Sequence, residues 1–435
     1  MPFSPCPRSR IATRFALIVT FTAAPAFGQS DQALSLDESL QIAIARSSQI
    51  VSTDAQVRAS REMAVSAAQL PDPVLKFGVN NVPADGADRF NLTNDFMAMR
   101  SVGVMQEFPR EEKRKARAER FEREAEFGAA QRDWNVTTVR RDTALAWLDR
   151  SYQESMRTLL EAQSNEAMLQ VDAAETAYRA ARGSQADIFA ARSQVEQIRD
   201  RIDQTSRQVA TATTQLSRWV GEAASRPLSA RSDLDKLPVQ AHELELQLSH
   251  HPQLAILEKQ EAMAVADAKV AQAGKRPDWS WEVMYNLRGP SFSNLVSINV
   301  AIPLQWDQKN RQDREVAAKL AQVEQIRSQR EDERRMRATE IRSMIQEWTS
   351  NRARLERYDR SLITLAQERT RAALTAYRSG SGPLSAVLEA RRNELDTRTE
   401  RLKLEMDTAR IGAQLAYLMP IEHGFTPSNL RKDGR

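Results

Sequence analysis

The sequence predicts a mainly α-helical protein with a small β part, built from two copies of one module. Charged residues make up 28% of the 435 residues and only 14 are glycine, a composition typical of long helices and coiled coils. Two short regions instead alternate apolar and polar residues with the period of β-strands. The segment Tyr-Arg-Ala-Ala-Arg-Gly at 178–183 returns as Tyr-Arg-Ser-Gly-Ser-Gly at 377–382, 199 residues later. A repeat of about 200 residues is too long for a solenoid unit, so we expect two copies of a larger module.

Other matched segments indicate which parts of the module vary in length. Two downstream pairs keep the offset of 199, whereas two upstream pairs have offsets of 206 and 194. We therefore assign the first repeat to 29–226 and the second to 227–420, followed by a flexible tail at 421–435. The matched segments are Ala191-Arg192 with Ala390-Arg391, Gln215-Leu216 with Gln414-Leu415, Leu70-Pro71-Asp72 with Arg276-Pro277-Asp278, and Phe108-Pro109 with Ile302-Pro303.

Residues 1–28 have the form of a secretory signal peptide. Three arginines make a basic start, an apolar stretch follows to Ala24, and small residues then offer a cleavage site. The alternative is an ordinary apolar N-terminus. Because the segment holds three arginines and no acid, its removal lowers the formal net charge from +4 to about +1, without the basic excess of a nucleic-acid binder. Cys6 is the single cysteine and leaves as well, so the mature chain would have no disulfide, thiolate metal site or lipid-bearing cysteine.

Long runs without proline predict three helices in each copy. A capping box at 35–38 opens the first helix, and Pro71 and Pro73 end it. In both copies the helices count 35, 73 and 38 residues, so the two shorter ones stacked end to end would match the long one. A 73-residue helix reaches about 110 Å. The predicted spans are 35–69, 110–182 and 183–220 in the first copy and 240–274, 307–379 and 383–420 in the second.

Apolar residues recur every seven positions in the helix that follows each repeated turn, which favours coiled-coil packing along a narrow seam. An amphipathic helix on a globular core is the alternative, but no globular core covers a helix of about 110 Å. The charge runs at 111–115 and 330–335 are interpreted as solvated helix faces. The two apolar series are Ile188, Val195, Ile202, Val209 and Leu216, and Leu388, Leu395, Leu402, Ala409 and Ala416.

Each copy also contains a predicted β-hairpin, at 74–108 and at 279–304. In the second, Trp279, Trp281 and Val283 alternate with polar neighbours, which places them on one face of a strand. Strands of about 9–11 residues can cross a bilayer as staves of a barrel. A soluble hairpin that caps a coiled coil is the alternative. Four strands cannot close a barrel, and two chains would give eight strands with a filled interior, so three chains are the smallest assembly with an open lumen.

Together these features resemble the TolC-type outer-membrane efflux factors over nearly the whole mature chain. The resemblance rests on the repeated order of elements, the Pro-Asp before each hairpin, the Phe-Pro or Ile-Pro after it, and the Tyr-Arg turns. Residues 70–73 and 106–109 resemble most the heavy-metal (CzcC-like and CusC-like) branch. The family implies a homotrimer with a twelve-stranded barrel in outer-membrane lipid and a long periplasmic tunnel of helical hairpins. It also implies a periplasmic adaptor, an inner-membrane pump and, for that branch, heavy-metal cations as cargo.

The turns between the long and the following helix are the candidate functional sites. They would lie about 110 Å from the strands, where a tunnel closes at rest and meets its adaptor. Glycine there suits backbone positions that exclude a Cβ, while tyrosine and arginine supply apolar area and donors. The alternative is that these residues only end helices. The candidate residues for adaptor docking or a periplasmic gate are Tyr178, Arg179, Gly183, Tyr377, Arg378, Gly380 and Gly382.

No catalytic or cofactor-binding pattern is found, so we expect a conduit or scaffold rather than an enzyme. His250 and His251 are adjacent, not spaced as a helical metal pair, and are interpreted as exposed polar residues at a helix start. Met97, Met99 and Met105 share a strand face but are interpreted as apolar filler. Two other functions stay open. A periplasmic adaptor would have one helical hairpin flanked by β-rich halves, and a secreted coiled-coil scaffold would lack paired alternating strands.

Overall fold

A computed structural model describes residues 33–231 and 251–418. The predicted signal peptide at 1–28, the beginning of the predicted helix at 240–274 and the tail at 421–435 lie outside these residues. The described chain is mainly helical, with four strands in one antiparallel sheet. None of the described helices combines the length and apolar character that a membrane span requires.

The helices follow the predicted order, but two of the predicted helices are interrupted. The predicted helix at 35–69 is two helices, because Ser47 leaves the helical conformation and its Oγ accepts from the Ile50 amide at 3.4 Å. The predicted helix at 307–379 begins only after a turn held by Asp307, and a π-helical turn interrupts it. The predicted helix at 240–274 begins, within the described residues, at Pro252.

The structure gives α1 Leu36–Arg46, α2 Ser48–Ala68, α3 Glu111–Arg179 and α4 Gln185–Val220, then α5 Pro252–Ala273, α6 Gln312–Arg357, α7 Ile363–Arg378 and α8 Leu384–Ala416. A 3₁₀ turn follows α4, and the π turn Tyr358–Leu362 joins α6 to α7. With 69 residues, α3 is about 100 Å long. The second long helix has 46, 5 and 16 residues in its three parts, and so nearly equals α3.

The strands form a single sheet in the order β1-β2-β3-β4, all antiparallel. The bounds are β1 Val74–Asn80, β2 Met99–Phe108, β3 Trp279–Leu287 and β4 Leu295–Ala301. The predicted hairpins therefore pair side by side, with Phe108 opposite Trp279 and Arg100 opposite Leu287. Two strands are shorter than predicted. Met97, which is expected on a strand face with Met99, precedes β2, and β4 ends at Ala301 although the predicted hairpin extends to 304. Among the described residues β1 and β4 are the edges of the sheet.

Buried apolar side chains join the two halves of the chain along the helices. The largest cluster packs Trp147 of α3 with Leu216 of α4 and Ala413 of α8. The Trp147 indole is 1% exposed, and its Nε1 donates to the Leu34 carbonyl at 3.2 Å. Several positions of the predicted seven-residue series are buried, which confirms that these faces pack on neighbouring helices. They are Val195, Leu216, Leu395, Leu402 and Ala409.

The first long helix is well covered, but α6 is not. Twenty residues of α3 are buried, against four in α6: Val323, Ile341, Asn351 and Leu355. Apolar side chains such as Leu320 and Met336 of α6 are exposed. On α2, Val51 and Val65 are exposed as well. A single copy of the described chain therefore leaves apolar helix surface uncovered.

Candidate functional site: the sheet and the two helical turns

One face of the sheet is apolar across all four strands. The registers align Leu75 with Val104, Val283 and Ile298. The next row aligns Phe77 with Val102, Tyr285 and Val296 in the same way. These side chains point away from the protein, with Phe77 74% and Ile298 71% exposed. Contiguous apolar surface of this kind marks a contact with a partner or a membrane.

The other face of the sheet is polar and internally bonded. The Lys76 ammonium makes an ion pair with the Glu282 carboxylate across β2. Asn80 Nδ2 donates to Ser101 Oγ at 2.7 Å, and Asn286 Nδ2 donates to Ser297 Oγ at 2.9 Å. Because successive side chains of a strand point to opposite faces, the sheet is amphipathic across all four strands.

The predicted alternation of β3 is confirmed by its register. Trp281, Val283 and Tyr285 face the apolar side, and Ser280, Glu282 and Asn286 the polar side. At the end of the sheet nearest the helices, the Phe108 and Trp279 rings stack with centroids 4.7 Å apart and planes 13° from parallel.

Gly103 permits the contact between β2 and β3. A Cβ added there would lie 2.5 Å from the Val283 carbonyl oxygen and 2.6 Å from Met284 Cγ. Cβ atoms are not found at such distances, so any other residue would push the two strands apart. Since β2 and β3 belong to different halves of the chain, this glycine lies where the halves join. Its only signal in the sequence is that of a glycine inside a strand pattern.

The two helical turns have related backbone geometry. In the first, the Arg182 amide donates to the Ala177 carbonyl at 2.9 Å, and in the second the Ser381 amide donates to the Ala376 carbonyl at 2.9 Å. Each turn contains one residue with positive φ, Ala181 at 55° and Gly380 at 75°. Ala181 is not among the candidates from the sequence, although the offset of 199 aligns it with Gly380.

Glycine is required at positions 183 and 382 for a different reason than at position 380. A Cβ at Gly183 would lie 3.2 Å from the Ala177 Cβ, and one at Gly382 would lie 3.0 Å from the Ala376 Cβ. These glycines let the chain pass close to the end of the preceding helix. At Gly380 there is open space, and the positive φ is the constraint.

The tyrosine and arginine candidates occupy unequal environments. Tyr178 is 49% exposed, whereas Tyr377 packs against the buried cluster of Ala174, Leu384 and Val387. That cluster joins α3 to α8, so the structure brings the two turns side by side. The Arg179 side chain is 77% exposed and makes an ion pair with Glu175 at 3.3 Å. The Glu175 carboxylate also accepts from Arg192 at 2.7 Å. Arg378 is exposed.

His251 does not fit the interpretation as an exposed polar residue. Its side chain is 1% exposed, its ring lies 5.9 Å from that of Trp134, and its Nδ1 accepts from the Gln253 amide at 3.3 Å, which caps α5. Burial, with a smaller effect from the nearby Arg337 guanidinium, lowers the pKa of His251 to about 4. His242, His250 and His423 lie outside the described residues. Within them, no three His, Cys, Asp or Glu side chains gather as metal ligands would. Met97 precedes β2, while Met99 and Met105 lie on its polar face.

No protein-family profile and no curated protein sequence matches this chain. Several solved structures are similar to this chain. The outer-membrane channel OprN is 14% identical with a TM-score of 0.72, covering 88% of this chain and 89% of that one. The outer-membrane protein VceC from Vibrio cholerae is 15% identical with a TM-score of 0.71, covering 88% and 95%.

CusC, described with transmembrane channel formation, is 16% identical with a TM-score of 0.70, covering 88% and 91%. Its identity is close to those of OprN and VceC, so the comparison does not separate a heavy-metal branch from the rest. The described chain has the fold of these outer-membrane channels over most of its length.

Proposed function

We propose that this protein is the outer-membrane channel of a tripartite efflux system. It would be a passive conduit across periplasm and outer membrane for substrate delivered by an inner-membrane pump and a periplasmic adaptor. The observation that carries the proposal is the amphipathic sheet at one end of helices about 100 Å long, whose edge strands β1 and β4 each pair with only one other described strand. The fold likeness to outer-membrane channels supports the same function.

The proposed assembly is a homotrimer. The edge strands β1 and β4 would pair between neighbouring copies, because lipid does not tolerate open sheet edges. Three copies supply twelve strands, enough for an open lumen. The poorly covered α6 and the exposed valines of α2 supply helix surface for contacts between copies. In this arrangement the apolar face meets outer-membrane lipid and the polar face, with Lys76 and Glu282, lines the lumen.

The two helical turns would form the periplasmic end. We assign them to adaptor docking or to the resting gate, with Tyr178, Arg179, Gly183, Tyr377, Arg378, Gly380 and Gly382 as the residues concerned. Arg179 and Arg378 are exposed there, as is Arg182, and this positive charge suits an acidic or carbonyl-rich partner surface. The glycines would act indirectly, since Gly183, Gly380 and Gly382 shape the turns.

The cargo would be selected mainly by the pump, because a wide aqueous lumen does little selecting. Heavy-metal cations are the cargo that the sequence resemblance implies, and we propose them as the first class to test. The described chain contains two helical hairpins and one four-stranded sheet. The β-rich halves expected of a periplasmic adaptor are not found in that part of the chain.

Fractionation followed by a carbonate wash tests the location. The channel should stay with outer membrane, whereas an adaptor or a secreted scaffold should separate with the periplasm or inner membrane. Deletion of the gene should then sensitise cells to the pump's substrates, with copper, zinc and cobalt salts and a panel of drugs as probes. Release of the protein from the outer membrane by the carbonate wash would contradict the proposal.

A further inference from the structure

Arg100 is a cation on the apolar face of the sheet. It lies opposite Val79 of β1 and Leu287 of β3, two apolar residues. Its side chain is exposed, and none of the ion pairs or side-chain hydrogen bonds between described residues uses its guanidinium. A charged group without a partner is costly beside apolar surface that meets lipid, so an anion from outside the chain would stabilise Arg100 here.

The surface around Arg100 is a shallow, open hollow of about 520 Å³. Four of its other six lining residues belong to the apolar face: Phe77, Val79, Val102 and Leu287. The remaining two are Gly78 and Ser101. The hollow thus combines one guanidinium with apolar walls, a combination that suits a molecule with both an anionic and an apolar part.

The position of Arg100 along the strands supports the same conclusion. The Phe108–Trp279 stack lies at the helix end of the sheet, and the Arg100–Leu287 pair lies eight residues away at the turn end. Eight residues of strand span about 26 Å, close to the apolar band of about 25 Å on membrane barrels. If the aromatic stack marks one membrane boundary, Arg100 lies at the other, at the depth of lipid headgroups.

We propose that this hollow binds an anionic membrane lipid, with the lipid phosphate on Arg100 and an acyl chain along Phe77 and Val102. A guanidinium binds phosphate through two parallel hydrogen bonds, and the apolar walls bury the adjoining chain. The site rests on the proposed function, because the apolar face must lie in the membrane. Inorganic phosphate would use only the guanidinium, so the lipid is the expected occupant.

Native mass measurement of the purified, delipidated assembly tests the site, with phosphatidylglycerol, diacylglycerol and inorganic phosphate as probes. The wild type should retain phosphatidylglycerol in preference to the other two, and Arg100→Gln should weaken that retention by about tenfold. Arg288→Gln is the matched control. Arg288 follows β3 at the same end and stacks over Phe292 at 5.0 Å, outside the hollow, so its loss should leave retention unchanged.

Three outcomes would overturn the site. In the first, Arg100→Gln retains as much phosphatidylglycerol as the wild type. In the other two, the wild type retains diacylglycerol, or binds inorganic phosphate, as well as it retains phosphatidylglycerol. The same spectra, together with the carbonate wash, separate this failure from failure of the proposed function. If the assembly is trimeric and membrane-bound but lipid retention does not depend on Arg100, only the lipid site is wrong. If the wild type is monomeric and not membrane-bound, both proposals are wrong.

Discussion

Asp278 at the entrance to β3 caps α3 of the other half of the chain. Its Oδ1 accepts from the backbone amide of Arg110 at 3.1 Å, and its carboxylate makes an ion pair with Lys113. Both charged side chains are largely buried, at 15% and 19% exposed. The Pro-Asp that precedes the second hairpin thus fixes where the first long helix begins.

We predict that Asp278→Ala destabilises the folded chain by about 2 kcal/mol, because it removes a helix cap and leaves the largely buried Lys113 without its partner. The measurement is the midpoint of chemical unfolding in detergent. Asp72→Ala is the matched control, since Asp72 occupies the corresponding Pro-Asp but is exposed. Equal midpoints for the two variants would show that the cap does not stabilise the fold.

Gly103→Ala should prevent normal pairing of β2 with β3. The added Cβ meets the backbone carbonyl of Val283 at 2.5 Å, and backbone cannot move aside without breaking the ladder. We expect strongly reduced membrane levels of the assembled protein, measured by quantitative blotting of the outer-membrane fraction. Gly78→Ala serves as control, because its Cβ would meet side-chain atoms rather than backbone, namely Ser101 Oγ at 3.2 Å and Asn80 Oδ1 at 3.6 Å. Normal levels of Gly103→Ala would contradict the register that pairs Gly103 with Met284.

His251 should make stability fall on acidification. The pKa of its imidazole is about 4 in the folded chain and about 6.5 when unfolded. Below pH 6.5 the unfolded state therefore takes up a proton that the folded state refuses, and stability declines until about pH 4. The total loss is on the order of 3 kcal/mol.

Unfolding measured from pH 7.5 to 4 checks this contribution. Arg337 and Trp134 are the neighbours that face the ring. His251→Asn keeps a cap for α5 and should remove the contribution of His251 to the fall of stability with decreasing pH. An unchanged slope in this variant would mean that His251 does not carry the pH dependence.

Reversing the charge at both turns, with Arg179→Glu and Arg378→Glu together, should abolish efflux while the assembly persists. Both side chains are exposed, and the ion pair of Arg179 with Glu175 lies at the surface, so a changed charge should act on a partner or on the gate rather than on packing. Efflux is measured as tolerance to the pump's substrates in a deletion strain. The matched control is Arg199→Glu with Arg392→Glu, which makes the same charge change at exposed positions of α4 and α8 away from the turns. This control should leave tolerance normal.

Normal tolerance in the turn variant would contradict the assignment of the turns. Failure accompanied by loss of the assembly would contradict it too. Replacing Gly183 and Gly382 with valine would be less informative, since a side chain there presses on Ala177 or Ala376 and distorts the turn itself.

The helices and strands were predictable because their signals are local. The alternation in β3 reflects one apolar face of a strand. The seven-residue series of α4 and α8 reflects one buried face of each helix, so both patterns can be identified from residues close together in the sequence. The break at Ser47 was missed because a serine inside a polar helix resembles a helical residue until its hydroxyl is found capping the next helix.

Features that depend on distant contacts were not predictable. The burial of His251 depends on Trp134, more than one hundred residues away, and the need for glycine at 103 depends on the Val283 carbonyl. Ala181 is instructive, because alanine gives no signal of a positive φ. Only its alignment with Gly380 in the second copy could have pointed to the same turn.

The proposed channel requires the four-stranded sheet to be one third of a closed barrel. Native mass measurement of the full-length protein in mild detergent decides this, because the mass counts the chains in one particle. We expect a particle of three chains, with no stable monomer carrying a closed barrel. A stable monomer or dimer as the predominant species would show that three sheets do not close into one barrel.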